Sequence, residues 1–433
     1  MNQRSLGGIG RAFSNPNFRV YTAGSAVSLI GTWLQKTAVG WTAWELTHDP
    51  AWVGIVVSAD LVTTVLSSPY AGVIADRQTS LRLLTILQSL CLLQAAMLAI
   101  LSFLGLMTVE LLVVLTLLLG VIMGFNQPIR QSLINQLVRK EDVAPAVAMT
   151  SVIYNVARVI GPSIAGFVIH FAGAGAAFAL NALSFVAMIV AIQYVTIAPA
   201  PVAVRGRVLQ DIVAGYRYAL SHRGIMPMLV ISLVSAVLLR PVTEMLPAYV
   251  GEVFKGGAGD LGLLMTAHGA GATLFGLAQA WRGASRGLVR LTTATLLFGP
   301  FTLVAFGATD TLWFAAVSIF AMGAVMTMRG TSTQTLIQNN VDPTMRGRVL
   351  SLYSMIFNVG PAAGSLILGI VSSWAGLHIP LYGAAGLSLL VWVWTLRREP
   401  ELVRVLEDEP AAAAQAESDE ARAAADALRK AAE

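Results

Sequence analysis

The sequence predicts an all-α membrane protein: twelve transmembrane helices in two six-helix pseudo-symmetric halves. Three observations predict it. The 433 residues are 56% hydrophobic and only 12% charged, about half the charge of a soluble domain. Apolar runs of roughly 20 residues, the length that crosses a bilayer, recur along nearly the whole chain. The second half also echoes the first. "QSLINQLVRKEDVAPAVAMTSVIYNV", from Gln131, aligns with "QTLIQNNVDPTMRGRVLSLYSMIFNV", from Gln334. At that fixed shift Gln131, Leu133, Ile134, Val138, Ser151, Ile153, Asn155 and Val156 meet identical residues, polar ones included. Two like-oriented six-span halves are a transporter arrangement, with the substrate between them near mid-membrane.

The elements follow in order. Residues 1–17 form a polar, basic N-terminal segment. The first half, 18–198, holds spans at about 18–46, 51–75, 82–105, 109–137, 145–172 and 175–197. Short joints such as "THDP" and "GLMTVE" carry the Gly, Pro and Asp that end helices. Residues 199–224 form a linker. Its Val208, Leu209, Ile212, Val213, Tyr216 and Leu220 share one helical face, as in a helix lying along a membrane surface. The second half, 225–398, holds spans at about 225–251, 259–281, 289–308, 311–338, 348–374 and 377–396. Residues 399–433, rich in Ala, Glu and Arg, read as a flexible solvated tail.

Basic residues orient the spans. Of the 28 Lys and Arg, Lys255 alone falls in a loop on one side, and Lys36, Arg130, Arg158, Arg240 and Arg329 fall within spans. All the others gather on the opposite side, which the positive-inside rule makes cytoplasmic, together with both termini. The first apolar run is a full span with no small-residue cleavage site after it, so no cleavable leader is expected. The net charge of +5 is spent on this asymmetry, and no nucleic-acid partner is expected. The single Cys91 excludes an internal disulfide framework. His48, His170, His222, His268 and His378 lack metal-ligand spacing, and no phosphate loop or nucleophile–base pattern occurs. No cofactor, no metal and no catalytic residue are expected.

What remains is a set of charges at membrane depth. A charge at the bilayer centre costs about 2.5–3.5 kcal/mol on insertion scales, so such groups face protein or water. Lys36, Asp60, Arg158, Arg240, Glu244 and Arg329 are therefore candidates for a proton and substrate pathway; each also admits a plainer role as an interhelical anchor. Asp60 is a candidate proton carrier with Lys36 as partner. Arg240 and Glu244, four apart in "LLRPVTEMLPAYV", share a helical face and are placed to pair. Pro241 and Pro247 beside them loosen the backbone, which is tolerable where a span bends or lines a cavity. Arg130 is expected to snorkel from the end of span four.

Two further stretches stand out. "GVIADR" places Gly72, Asp76 and Arg77 at the cytoplasmic end of span two, with Arg82 beyond. It reads as a gate in which close helix approach and charge pairing hold that face shut. In "ARVIGPSIAGFVI", Gly161 and Gly166 allow helix contact and Pro162 bends span five.

These segments resemble the major facilitator superfamily over about residues 10–398. "GVIADR" matches its loop-two signature in Gly, Asp and Arg, while Thr79 and Ser80 stand where a Gly and a basic residue are expected. "RQSLINQLV", "NVARVIGPSIAGF", "NALSFVA", "RPVTEMLPAYV" and "RGRVLSLYSMIFNVGP" resemble the branch that includes the enterobactin exporter and related siderophore and drug effluxers. "GPSIAG" is similar to the span-five signature of antiporters. The resemblance implies a monomeric protein of the bacterial plasma (inner) membrane, working in a lipid bilayer. It would export a small-molecule substrate, siderophore-like or drug-like, in exchange for protons by alternating access. The cationic Arg240, Arg329 and Lys36 point to an anionic or metal-chelating substrate. The rival readings are an importer or lipid flippase of the same fold and a transport-dead membrane scaffold or sensor acting through the tail.

Overall fold

The computed structural model describes residues 8–75, 80–197, 208–283 and 286–409. Its helices are α1 (Gly8–Ser14), α2 (Pro16–Thr47), α3 (Pro50–Ala75), α4 (Ser80–Phe103), α5 (Val109–Leu137), α6 (Val143–Gln193), α7 (Val208–Ser221), α8 (Ile225–Val234), α9 (Pro241–Glu244), α10 (Leu246–Glu252), α11 (Ala258–Arg282), α12 (Leu288–Gly307), α13 (Leu312–Asn340), α14 (Arg346–Ala375) and α15 (His378–Val403). Among the described residues there is no strand.

Ten helical stretches are long and apolar enough to cross a membrane. One of them, α6, counts twice. Gly173 (φ 78°, ψ 168°) breaks it in a conformation that suits only glycine, so it crosses, turns and crosses back. The more polar α2, which carries Gln35, Lys36 and Glu45, packs along α6 and brings the crossings to twelve. The repeat holds in the backbone: α5 and α13, and the starts of α6 and α14, share bounds at one offset (109 to 312, 137 to 340, 143 to 346).

The span expected at 225–251 is broken into pieces. Ser235–Leu239 forms a π-helical turn in which Arg240 N reaches back to Ser235 O at 3.1 Å. Pro241 and Pro247 then open α9 and α10, with Met245 (φ −92°, ψ 2°) between them. Each proline lacks the N–H that a continuous helix would use.

Both described chain ends, α7, and the α5–α6 and α13–α14 joints lie at one end of the bundle, the near end. Arg11 Nε donates to Asp142 Oδ1 at 3.0 Å, Asn15 Nδ2 to Leu137 O at 2.7 Å, and Asp342 N to the Tyr218 hydroxyl at 3.2 Å. On α7 Ala219 is buried while Tyr216 and Leu220 stay exposed; the side chains of Val208, Leu209, Ile212 and Val213 lie outside those described. The last helix does not fray at residue 399, where the sequence predicts a flexible tail. It continues to Val403 and a π turn over Arg404–Asp408, because Leu402 and Leu406 bury against Ile225, Met228 and Val289.

The halves meet through α3 with α14 and α6 with α11, at the far end. Gly54 lies against Ser365 and Gly369, Gly166 against Gly262, and the Ser58 hydroxyl reaches Ala362 O at 2.7 Å. Towards the near end the same helix faces become exposed: Ser151, Tyr154 and Asn155 on α6, Ser351, Ser354 and Asn358 on α14. The far end is thus closed and a cleft opens to the near end.

Candidate functional site

The polar groups of this cleft converge near mid-depth. Lys36 on α2 donates to Asp60 Oδ2 on α3 at 2.5 Å. Asp60 is 7% exposed, and its other oxygen, Oδ1, is buried without a hydrogen-bond partner. Lys36 Nζ also stands 5.5 Å from the Trp33 ring centroid, and Tyr154 of α6 packs edge-on to Trp33 at 5.8 Å. Gly161 brings α6 this close, since a Cβ there would collide with Trp33 and with Ile30 O.

Across the cleft Arg240 sits at the broken segment between α8 and α9. Its Nη1 donates to Phe357 O at 2.9 Å, and the guanidinium lies 4.1 Å over the Phe357 ring. It does not pair with Glu244 as the i,i+4 spacing predicts. The π turn before it and the proline after it aim Arg240 at α14 instead. Glu244 lies within electrostatic reach of both Lys36 and Arg240 and is ion-paired with neither. Arg158 of α6 lies within reach of Arg240 and of His268 on α11. The packing of Val159 on Gly269 brings α6 and α11 together at this level. Lys36, Asp60, Arg158, Arg240 and Glu244 thus form one cluster.

Arg329 stands apart, deeper in the second half. It is 4% exposed, its Nη1 has no partner among the described residues, and Gly299 leaves the room it occupies. Tyr353 lies within reach of both Arg240 and Arg329, with its hydroxyl donating to Gly330 O at 3.2 Å.

The remaining expectations divide. Pro162 is buried inside α6, and Gly166 meets Gly262 on α11, so this motif is a contact between halves. Gly72 lies on α3 and Arg82 is exposed on the first turn of α4, whereas Asp76 and Arg77 lie outside the described residues. Arg130 does not snorkel: its Nε donates to Asn126 Oδ1 at 2.7 Å and its Nη1 to Ser25 Oγ at 3.0 Å, tying α5 to α2. Among the described residues no His, Cys, Asp and Glu group is arranged to hold a metal.

Sequence reading missed a polar core inside the first half. Asn181 Nδ2 donates to Gln35 Oε1 at 2.7 Å, Gln35 Nε2 to Gln94 Oε1 at 3.0 Å, and Gln94 Nε2 to Leu115 O at 3.1 Å. The available signal was three amides in apolar runs, each needing partners. His268, which lacks metal-ligand spacing in the sequence, has a buried Nε2 with no hydrogen-bond partner among the described residues and lies within electrostatic reach of Arg158 and Arg240.

Comparison with known proteins adds the family. Residues 11–422 match the family described as transmembrane secretion effector. The chain is 26% identical to the staphyloferrin A transporter of Staphylococcus aureus over 86% of this chain and 93% of that one. It is 23% identical to the enterobactin exporter of Shigella flexneri, over 90% and 95% respectively. Among solved structures, a bacterial homologue of the iron transporter ferroportin in its inward-facing state superposes with a TM-score of 0.68 at 16% identity. That match covers 88% of this chain and 98% of the other.

Proposed function

This chain belongs to the transmembrane secretion effector family, a branch of the major facilitator superfamily rich in siderophore and drug effluxers, and on that premise we propose that it exports a small molecule in exchange for protons. In this reading it is a monomer of the bacterial plasma membrane. The near end, where the basic residues gather, faces the cytoplasm, and both termini lie there. Substrate enters the cleft from that side, the halves rock about the α3–α14 and α6–α11 contacts, and substrate leaves at the far end.

The observation that carries the reading is the Lys36–Asp60 pair at the wall of a cleft open to the basic end. Asp60 Oδ2 accepts from the Lys36 ammonium, and Oδ1 is left without a partner among the described residues. That is the state expected after a proton has left to the cytoplasm and before substrate loads. In the outward-open state Asp60 takes a proton at Oδ1, the pair with Lys36 weakens, and substrate is released. Return of the protonated carrier completes the exchange. Glu244, unpaired in the same cluster, is the second candidate carrier. The likeness to the enterobactin exporter of Shigella flexneri supports the outward direction.

The test is metabolite profiling of cells with and without the gene, inside and outside, repeated with Asp60→Asn and Glu244→Gln. One compound held inside the deletion strain, and held again by the carboxylate variants, is the expected result. Accumulation only outside the deletion strain would reverse the direction to import. No shift under iron-poor, iron-rich and drug-stressed growth would overturn export.

A further inference from the structure

The cluster holds more positive than negative side chains, and among the described residues neither of its arginines forms an ion pair. Asp60 is taken by Lys36. Among the described residues Glu244 forms no ion pair. Among the described residues Arg158 makes neither a hydrogen bond nor an ion pair, and it is only partly buried. Arg240 makes one hydrogen bond among the described residues, through one of its five donors, and lies over the Phe357 ring. His268 keeps a buried Nε2 with nothing to bond. Arg158 and Arg240 lie within electrostatic reach of each other and of His268, and with Glu244 and the Lys36–Asp60 pair counted the cluster keeps an excess of positive charge that an anion would neutralise.

We infer that Arg158 of the first half and Arg240 and His268 of the second form a receptor for the carboxylate groups of an anionic substrate, bridging the halves. The inference rests on reading the cleft as the transport path. The guanidinium fork matches a carboxylate in two parallel hydrogen bonds. A phosphate would favour a cradle of free backbone N–H groups at a helix N-terminus. Arg158 and His268 lie in mid-helix, where those groups are already bonded. Trp33, Tyr154 and Phe357 supply flat walls for the organic body. Because the two arginines belong to opposite halves, a bound polycarboxylate links the bodies that must rock. It thereby couples occupancy to conformation.

The test uses the purified full-length protein and citrate as probe, with binding read as a thermal-unfolding shift at constant ionic strength. Inorganic phosphate and tetraphenylphosphonium serve as comparisons. Citrate is expected to stabilise the wild type more than phosphate does. Arg158→Gln and Arg240→Gln are expected to weaken it by about tenfold or more each, the size of a lost charge-assisted hydrogen bond. Arg290→Gln, an exposed near-end arginine, is the control and keeps the affinity. If Arg240→Gln fails to fold, Arg158→Gln carries the test, since Arg158 makes no hydrogen bond or ion pair among the described residues. Equal citrate shifts in wild type and both variants, or equal shifts from phosphate and citrate, would overturn the receptor. So would binding of tetraphenylphosphonium alone; if inverted vesicles then carry that cation against a proton gradient, export stands and the anionic substrate falls. Arginine-dependent citrate binding without any proton exchange would keep the receptor and sink export.

Discussion

Lys36 Nζ and Asp60 Oδ2 lie 2.5 Å apart on neighbouring helices of the same half, and neither has another ion-pair partner among the described residues. Each is therefore the other's reason for tolerating membrane depth. Removing one charge strands the other, which costs more than removing both. Lys36→Gln and Asp60→Asn are each expected to destabilise by about 1–3 kcal/mol. The double variant should recover much of that loss, while all three abolish substrate-induced proton flux in inverted vesicles. A double variant as unstable as the sum of the singles would show that the pair has no such coupling.

Gly166 and Gly262 set the closure of the far end. A Cβ on Gly166 would lie 2.1 Å from Gly262 Cα. Overpacking of this kind costs about 1–3 kcal/mol, enough to shift a two-state balance roughly tenfold. Gly166→Leu is expected to hold the far end apart and so close the near end. The reporter is Ser354→Cys in a Cys91→Ser background, since Ser354 is exposed in the cleft and Cys91 is the only native thiol. Maleimide labelling of that thiol should fall several-fold on adding Gly166→Leu. Unchanged labelling in a folded variant would separate this contact from gating.

The fold was legible because a bilayer demands it: apolar length, basic asymmetry and the echo from Gln131 to Gln334 depend on residue type, not on packing. The membrane-depth charges were legible for the same reason. Their pairing was not. Helical spacing joined Arg240 to Glu244, but a π turn and a proline, both backbone effects, turned Arg240 onto Phe357. Nor could spacing join Arg158 to His268, because their proximity depends on how two halves dock around Gly269. The Gln35–Gln94–Asn181 core draws on three distant helices, and each amide alone looks like any polar residue in a span.

The segment after residue 398 looked like solvated tail, yet Glu407 accepts from Gly287 N at 2.6 Å and Val289 N at 2.7 Å, at the start of α12. A carboxylate there satisfies orphan donors and opposes the helix dipole. Glu407→Ala is expected to lower stability by about 0.5–2 kcal/mol in thermal unfolding. The consequence for the scaffold reading is practical. Deletion after Arg398 also removes Leu402 and Leu406 from the core, so lost function would not implicate the tail. Deletion after Glu409 is the clean version. It should leave transport and stability near wild type, and lost transport with intact stability would favour a scaffold role.

His222 sits between α7 and α8, and its Nδ1 accepts from Gly224 N at 3.2 Å and Ile225 N at 3.3 Å. Burial pushes its imidazole below the ordinary value of 6.5. Protonation would also remove the lone pair that accepts these bonds. The folded pKa being lower, the neutral form's contribution is fully present above pH 6.5 and is lost as pH falls through the folded value. The wild type should therefore melt at a lower temperature at pH 5.5 than at pH 7.5. His222→Asn, whose amide oxygen caps without titrating, should flatten that difference. If the variant keeps the full pH dependence, the acid sensitivity arises elsewhere and the α7–α8 joint is indifferent to protons.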